Sequence, residues 1–253
     1  MATILEICVD TLGGCEAAIA GGARRIELCS ALSVGGLTPS SGLTREVVAR
    51  AHAAGVRVHA MVRPRAGDFA YGAADVAMAH AESAALIADG IDGLVFGAVR
   101  DSALDHEVLR DWTAAMRWQR QDIDLTLHRA VDLLDDPVAA VEPAIALGFD
   151  RILTSGGAVR AADGAGVIAA MVRAAAGRIA VMPGSGVRPA NAARLLATTG
   201  AQEIHASASV PVATAGGRVR ALGFDGPARG ETDRATVRAL AEAVTRYDRG
   251  EGA

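Results

Sequence analysis

Leu86-Ile87-Ala88-Asp89-Gly90-Ile91-Asp92-Gly93-Leu94-Val95-Phe96-Gly97 carries the unit from which the fold is read. An apolar helix end runs into Gly90, suited to a left-handed cap; a short polar link follows, then an apolar strand closed by Gly97. The unit recurs. Ile145 to Asp150 leads into the strand Arg151-Ile152-Leu153-Thr154, and Leu195 to Gln202 leads into Glu203-Ile204-His205-Ala206. Near the start, a short alanine-rich helix over 13–20 and Gly21-Gly22 lead into Ile26-Glu27-Leu28-Cys29. Between these copies lie strands of a second kind: 4–9, 58–63, 124–128 and 178–182, each ending in charge, proline or glycine. Four alternations of the two kinds give eight strands separated by helices. In roughly 250 residues this predicts a closed (β/α)8 TIM barrel, one domain over residues 1–253, rather than an open doubly wound sheet. No G-x-G-x-x-G opens a helix after a first strand, which also disfavours the open sheet. Past strand eight the sequence predicts a Gly/Pro-containing loop from Ser209 to Glu231 and a final helix from Asp233 to Tyr247.

Composition narrows the chemistry. Aromatic residues make up only 3% of the chain while 51% of it is hydrophobic, so the core is built from layers of Ala, Val, Leu and Ile. There is no lysine, which excludes a Schiff base, a lysine general base and a P-loop lysine. A net charge of -4 is the wrong sign for a nucleic-acid footprint. No apolar run approaches the roughly 18 residues of a membrane span, and no signal-peptide pattern is visible, so a cytoplasmic protein with no membrane partner is expected. Cys8, Cys15 and Cys29 are then read as reduced thiols.

Strand parity distributes the polar residues. With Leu5, Ile7, Val9, Ile26 and Leu28 facing the helices, Glu6, Cys8, Glu27 and Cys29 point into the barrel from neighbouring strands, the two cysteines at equivalent depths. The same parity places His59, Met61, Arg63, Thr126, His128, Met182, His205 and Ser207 inward. Active sites of such barrels gather at the carboxyl ends of strands. Val58-His59-Ala60-Met61-Val62-Arg63-Pro64-Arg65 stops at the proline with Arg63 and Arg65 beside it: an anion site, or cations that neutralise buried carboxylates. Glu6 and Glu27 need such partners or raised pKa values, and Arg63, Arg65 and Arg129 are the candidates.

His128 is the strongest candidate general acid/base, tuned toward neutral pH if carboxylates stand near it; otherwise it bonds Glu6. Glu6 and Glu27 complete the candidate catalytic set. Arg129 and Asp132 follow His128, with Asp132 either in the site or capping the next segment. Ser155-Gly156, Gly184-Ser185-Gly186, His205 and Ser207 close the last strands with small residues that let backbone N–H groups approach an anion, phosphate included, or simply turn tightly. Cys8 and Cys29, with Met61, Met182 and the inward histidines, are ligand types preferred by soft metals such as Cu(I), though buried cysteines also serve as small hydrophobes. No C-x-x-C or H-E-x-x-H is present, and no organic cofactor is indicated.

Taken together, Glu6 to Asp10, Arg25 to Ser33 with Gly35 to Ser40, Met61 to Phe69, Leu94 to Ala98, His128 to Asp132, Arg151 to Gly156 and Met182 to Gly186 resemble the CutC copper-homeostasis family, in order and as far as about Ser207. The resemblance implies a cytoplasmic, homo-oligomeric TIM barrel associated with copper tolerance or Cu(I) handling, with Cys8 and Cys29 as metal ligands. The sequence departs from the family pattern at Leu127, Val131 and Ser185, where Phe, Phe and Gly are usual. Two functions are therefore expected: Cu(I) binding in copper homeostasis, or an enzyme acting on a small anionic or phosphorylated metabolite by acid/base chemistry.

Overall fold

The computed structural model describes residues 2–213, 217–223 and 229–251. Eight parallel strands alternate with helices: β1 (Ile4–Val9), β2 (Arg25–Leu28), β3 (Arg57–Met61), β4 (Gly93–Phe96), β5 (Asp124–Leu127), β6 (Arg151–Thr154), β7 (Ala180–Pro183) and β8 (Glu203–Ala206). Each strand pairs with its sequence neighbour from β1 to β7, and β8 returns to pair with β1. The last gap, β7 to β8, carries no ladder, yet Gly184 at the end of β7 packs against the His205 side chain. The barrel is therefore nearly closed, as the repeated unit predicts.

The helices are α1 (Leu12–Gly21), α2 (Ser41–Ala53), α3 (Ala73–Ala88), α4 (His106–Gln119), α5 (Val141–Ala146), α6 (Ala165–Ala175), α7 (Pro189–Thr199) and α8 (Arg234–Asp248). Their ends follow local chemistry. Thr11 and Asp233 cap α1 and α8 by accepting backbone N–H bonds from Gly14 and Thr236, and Gly22 and Gly200 leave α1 and α7 in the left-handed conformation. One strand parity, including Leu5, Ile7, Ile26, Leu28, Leu94 and Leu125, is fully or almost fully buried in the main core between strands and helices. Aromatics enter this layer as a local stack, with Phe96 4.6 Å from Trp112, whose indole donates to Ser83 Oγ. The N-terminus is tied to α8 through Thr3 and Asp248.

The segment expected to be a loop over 209–231 contains an antiparallel pair, β9 (Ser209–Val212) with β10 (Arg229–Thr232), and a short helical turn at Gly217–Ala221. Within this segment, residues 214–216 and 224–228 lie outside the described set. Among the described residues no helix is long and apolar enough to cross a membrane.

Candidate functional site

The opposite parity fills the barrel with ionisable groups in layers. Register puts Arg25 opposite Glu6, Glu27 opposite Cys8, and His205 on the other side of Glu6. At the amino ends of the strands Arg25 is clamped between Glu6 and Glu203, 2.5 Å from the latter, and Arg151 closes on Glu203 and on Thr126 Oγ1. His59, opposite Glu27 in the β2–β3 register, lies 3.3 Å from Asp124. Two arginines answer two glutamates, so these four charges cancel, and their buried side chains fill this end of the barrel as a sealed layer.

This corrects the expected partners. Glu6 is neutralised by Arg25 and not by Arg63, Arg65 or Arg129, because those three follow the carboxyl ends of β3 and β5 while Glu6 lies near the sealed end. Burial alone would raise the Glu6 carboxyl; Arg25 and the hydrogen bond from His205 hold it well below its usual range. Arg25, Arg151 and Glu203 were missed as site residues although each opens a strand at inward parity. Arg25 stood one residue ahead of the strand start read from the sequence.

Above this layer a cavity of about 980 Å³ opens to the carboxyl ends of the strands. On its floor the donor atoms of Cys8, Glu27 and His205, all buried, lie within 4.8 Å of one another. His205 Nδ1 stands 2.8 Å from Glu6 Oε1, which turns the other ring nitrogen toward Cys8 and Glu27. Burial would lower the His205 pKa, but Cys8, Glu27 and Glu6 raise it well above the ordinary value. Burial lifts Glu27 to about 7 against the pull of His205. A soft sulfur, an imidazole and a carboxylic acid near its neutral point thus converge, with an ionised Glu6 behind the imidazole.

Cys29 does not share this group. Register sets Glu27 opposite Cys8, so Cys29 sits one layer higher and the two cysteines are not at equal depth. Its thiol donates toward Glu27 Oε2 at 3.6 Å and packs with Met61 and Val95; burial and Glu27 push it well above its ordinary range. All three cysteines are free. Met182 lies in the sealed layer, its sulfur 3.2 Å from Arg25.

Near the mouth, His128 is buried and neutral. Burial, with Arg63 and Arg129 nearby, drives its pKa down to about 3, against the expectation that carboxylates would tune it toward neutrality. It does not bond Glu6; its Nδ1 accepts from Ala130 N–H at 3.2 Å. Asp132 accepts from Arg129, Thr154, Ser155 and Gly157, so it ties the β5 and β6 loops together. Ser155 and Gly156 serve that turn and do not line the cavity, whereas Gly186, His205 and Ser207 do. Gly184 makes room for Leu153 and His205. Arg63 lines the cavity; Arg65 does not, being held by Asp68 and Asp75. Arg188 and Glu231, the latter on β10, reach the mouth, and neither was singled out in the sequence because both lie outside the strand ends.

Comparison with known proteins agrees with this geometry. The model of the CutC family matches residues 3–210. A CutC family protein of Agrobacterium fabrum is 46% identical over 249 residues, 98% of this chain and 96% of its own length. The human copper homeostasis protein cutC homolog is 41% identical over 206 residues, 81% of this chain and 73% of its own length. The crystal structure of a CutC protein from Streptococcus agalactiae superposes with a TM-score of 0.76 at 29% identity, covering 81% of this chain and 98% of that one. On the family match and on these identities, the chain belongs to the CutC family.

Proposed function

We propose that the protein binds Cu(I) on the floor of the barrel cavity through Cys8 and the outer nitrogen of His205, and acts in copper homeostasis as a cytoplasmic homo-oligomer. One observation carries the metal site: the sulfur, imidazole and carboxylate donors lie within 4.8 Å of one another, with Glu6 orienting the imidazole from behind. A carboxylate bonded to the far nitrogen of a ligating histidine fixes the tautomer and raises its basicity. Thiolate and imidazole suit Cu(I), and a hard carboxylate does not, so Glu27 is a proton acceptor beside the metal and not its principal ligand. Copper homeostasis is the role named for the human relative. Cys29, implied as a ligand by the family resemblance, is engaged with Glu27 and stands outside the group.

An anaerobic competition titration of Cu(I) against a chromophoric chelator tests this site. The native protein and Cys29→Ser are expected to compete, while Cys8→Ser and His205→Gln are not. Failure of the native protein to compete, or full competition by Cys8→Ser, would remove the site.

A second function keeps specific support, because Glu27, with its carboxyl near 7, stands beside His205 in a cavity large enough for an organic molecule. In an enzyme acting on a small anion these two would move the proton.

A further inference from the structure

Arg63 is only 5% exposed and lines the cavity wall. Its hydrogen-bond partners among the described residues are all backbone carbonyls: Val34 and Gly36 from Nη1 at 2.8 and 3.1 Å, and Gly67 from Nη2 at 2.7 Å. No carboxylate is among them, so among the described residues this buried charge is met by carbonyl dipoles and the face of the Phe69 ring, without a hydrogen-bonded counter-charge, which is costly. Its Nε–H has no partner among the described residues. A guanidinium has five N–H donors, and three bonds leave two of them for something else.

His128 stands on the same wall with the same deficit. A backbone N–H can only donate, so the bond from Ala130 leaves Nδ1 without a hydrogen. In the neutral ring that hydrogen sits on Nε2. Nε2 is buried and has no partner among the described residues. Both groups flank one ring: the Arg63 guanidinium carbon is 4.8 Å from the centre of Phe69, and the His128 ring centre is 4.7 Å from it.

We infer that Arg63 and His128 form a binding site for the carboxyl group of a small organic monocarboxylate, above and separate from the Cys8–Glu27–His205 group. One unanswered buried positive charge calls for one negative charge. A planar carboxylate accepts two or more such hydrogen bonds, and the guanidinium offers the fork that such a group takes. Leu32, Val34 and Met61 line the same cavity and suit an apolar body. Of the carboxylates that line the cavity, Asp132 is bonded to the β6 turn and Arg129, Asp10 accepts from the Leu32 N–H at 3.2 Å, Glu27 lies beside His205 and Glu231 stands on β10, and none of them is among the hydrogen-bond partners of Arg63. A phosphate dianion would carry twice the charge of the Arg63 guanidinium and would face these carboxylates. The site names the substrate class of the second function above and stands independently of the metal.

The test is thermal melting of the metal-free full chain at constant ionic strength, with acetate, butyrate and inorganic phosphate as probes. The carboxylates are expected to raise the Tm of the native protein and of Cys8→Ser alike, since binding to the folded state alone is stabilising; phosphate is not. His128→Asn keeps an oxygen where Nδ1 accepts from Ala130 and removes only the Nε2 donor. It should weaken carboxylate binding about tenfold, the effect of losing one hydrogen bond to a charged group. Because Arg63 also ties three loop carbonyls, its charge-keeping variant Arg63→Lys is used, and it too should bind more weakly. No response to either carboxylate, a response to phosphate as large as theirs, or full affinity in His128→Asn would each overturn the site. Loss of carboxylate binding with copper binding intact, or the reverse, tells failure of this site from failure of the metal group.

Discussion

His128 and His205 are the same side chain in the same barrel, pushed in opposite directions. His205 meets Glu6, Glu27 and Cys8 and is held protonated, whereas His128 meets Arg63 and Arg129 in a closed wall and is held neutral. The His128 pKa falls from 6.5 in the unfolded chain to about 3 in the fold, so the unfolded state binds the extra proton between those values. The stability that His128 gains from staying neutral is complete above 6.5 and is lost as pH falls toward 3. Urea denaturation of the native protein and of His128→Asn is expected to show it. The stability difference between them should shift against the native protein as pH falls through this window, with a limiting slope of about 1.4 kcal/mol per pH unit. A difference independent of pH would contradict the assignment.

At the scale of elements, the turn after β6 is held from several sides at once. Asp132 draws in the Ser155 and Gly157 N–H groups, and Gly156 adopts a φ of +70°. Gly164, just ahead of α6, presses against this turn so closely that an added Cβ would stand 2.0 Å from the Ser155 carbonyl oxygen. Backbone cannot yield there cheaply, so Gly164→Ala should cost about 1–3 kcal/mol or more in urea denaturation. Gly166→Ala, two residues on in open space within α6, should gain up to about 1 kcal/mol. Equal effects of the two would refute the close approach. Ser185 holds a φ of +80°, which explains why glycine is usual at that place in the family pattern the sequence resembles.

The repeated helix–glycine–strand unit was enough to read the barrel, and strand parity was enough to send Glu6, Cys8, Glu27, His128 and His205 inward. Depth was harder to read. Parity says which face a residue takes, while register decides what lies opposite it, and register depends on strand stagger around the closed sheet. Hence Cys8 met Glu27 where Cys29 was expected, and Glu6 met Arg25 where a mouth arginine was expected. The β9–β10 pair escaped because Pro211 and Gly230 interrupt the pattern by which strands are read.

For the whole molecule, the sealed layer of Arg25, Glu6, Glu203 and Arg151 fixes the direction of access. A buried ion-pair network of this kind adds little net stability against an apolar alternative, but its four side chains fill the amino end of the barrel interior. Cys8 and His205 share one cavity with Arg63, His128 and Phe69, and that cavity opens at the mouth. The proposed function reduces to which atoms would hold the metal. X-ray absorption at the copper edge of the Cu(I)-loaded protein measures that most directly. One sulfur and one imidazole nitrogen in the first coordination shell, with the sulfur lost in Cys8→Ser and kept in Cys29→Ser, is the predicted result. A shell of two sulfurs, or of nitrogen and oxygen alone, would contradict it.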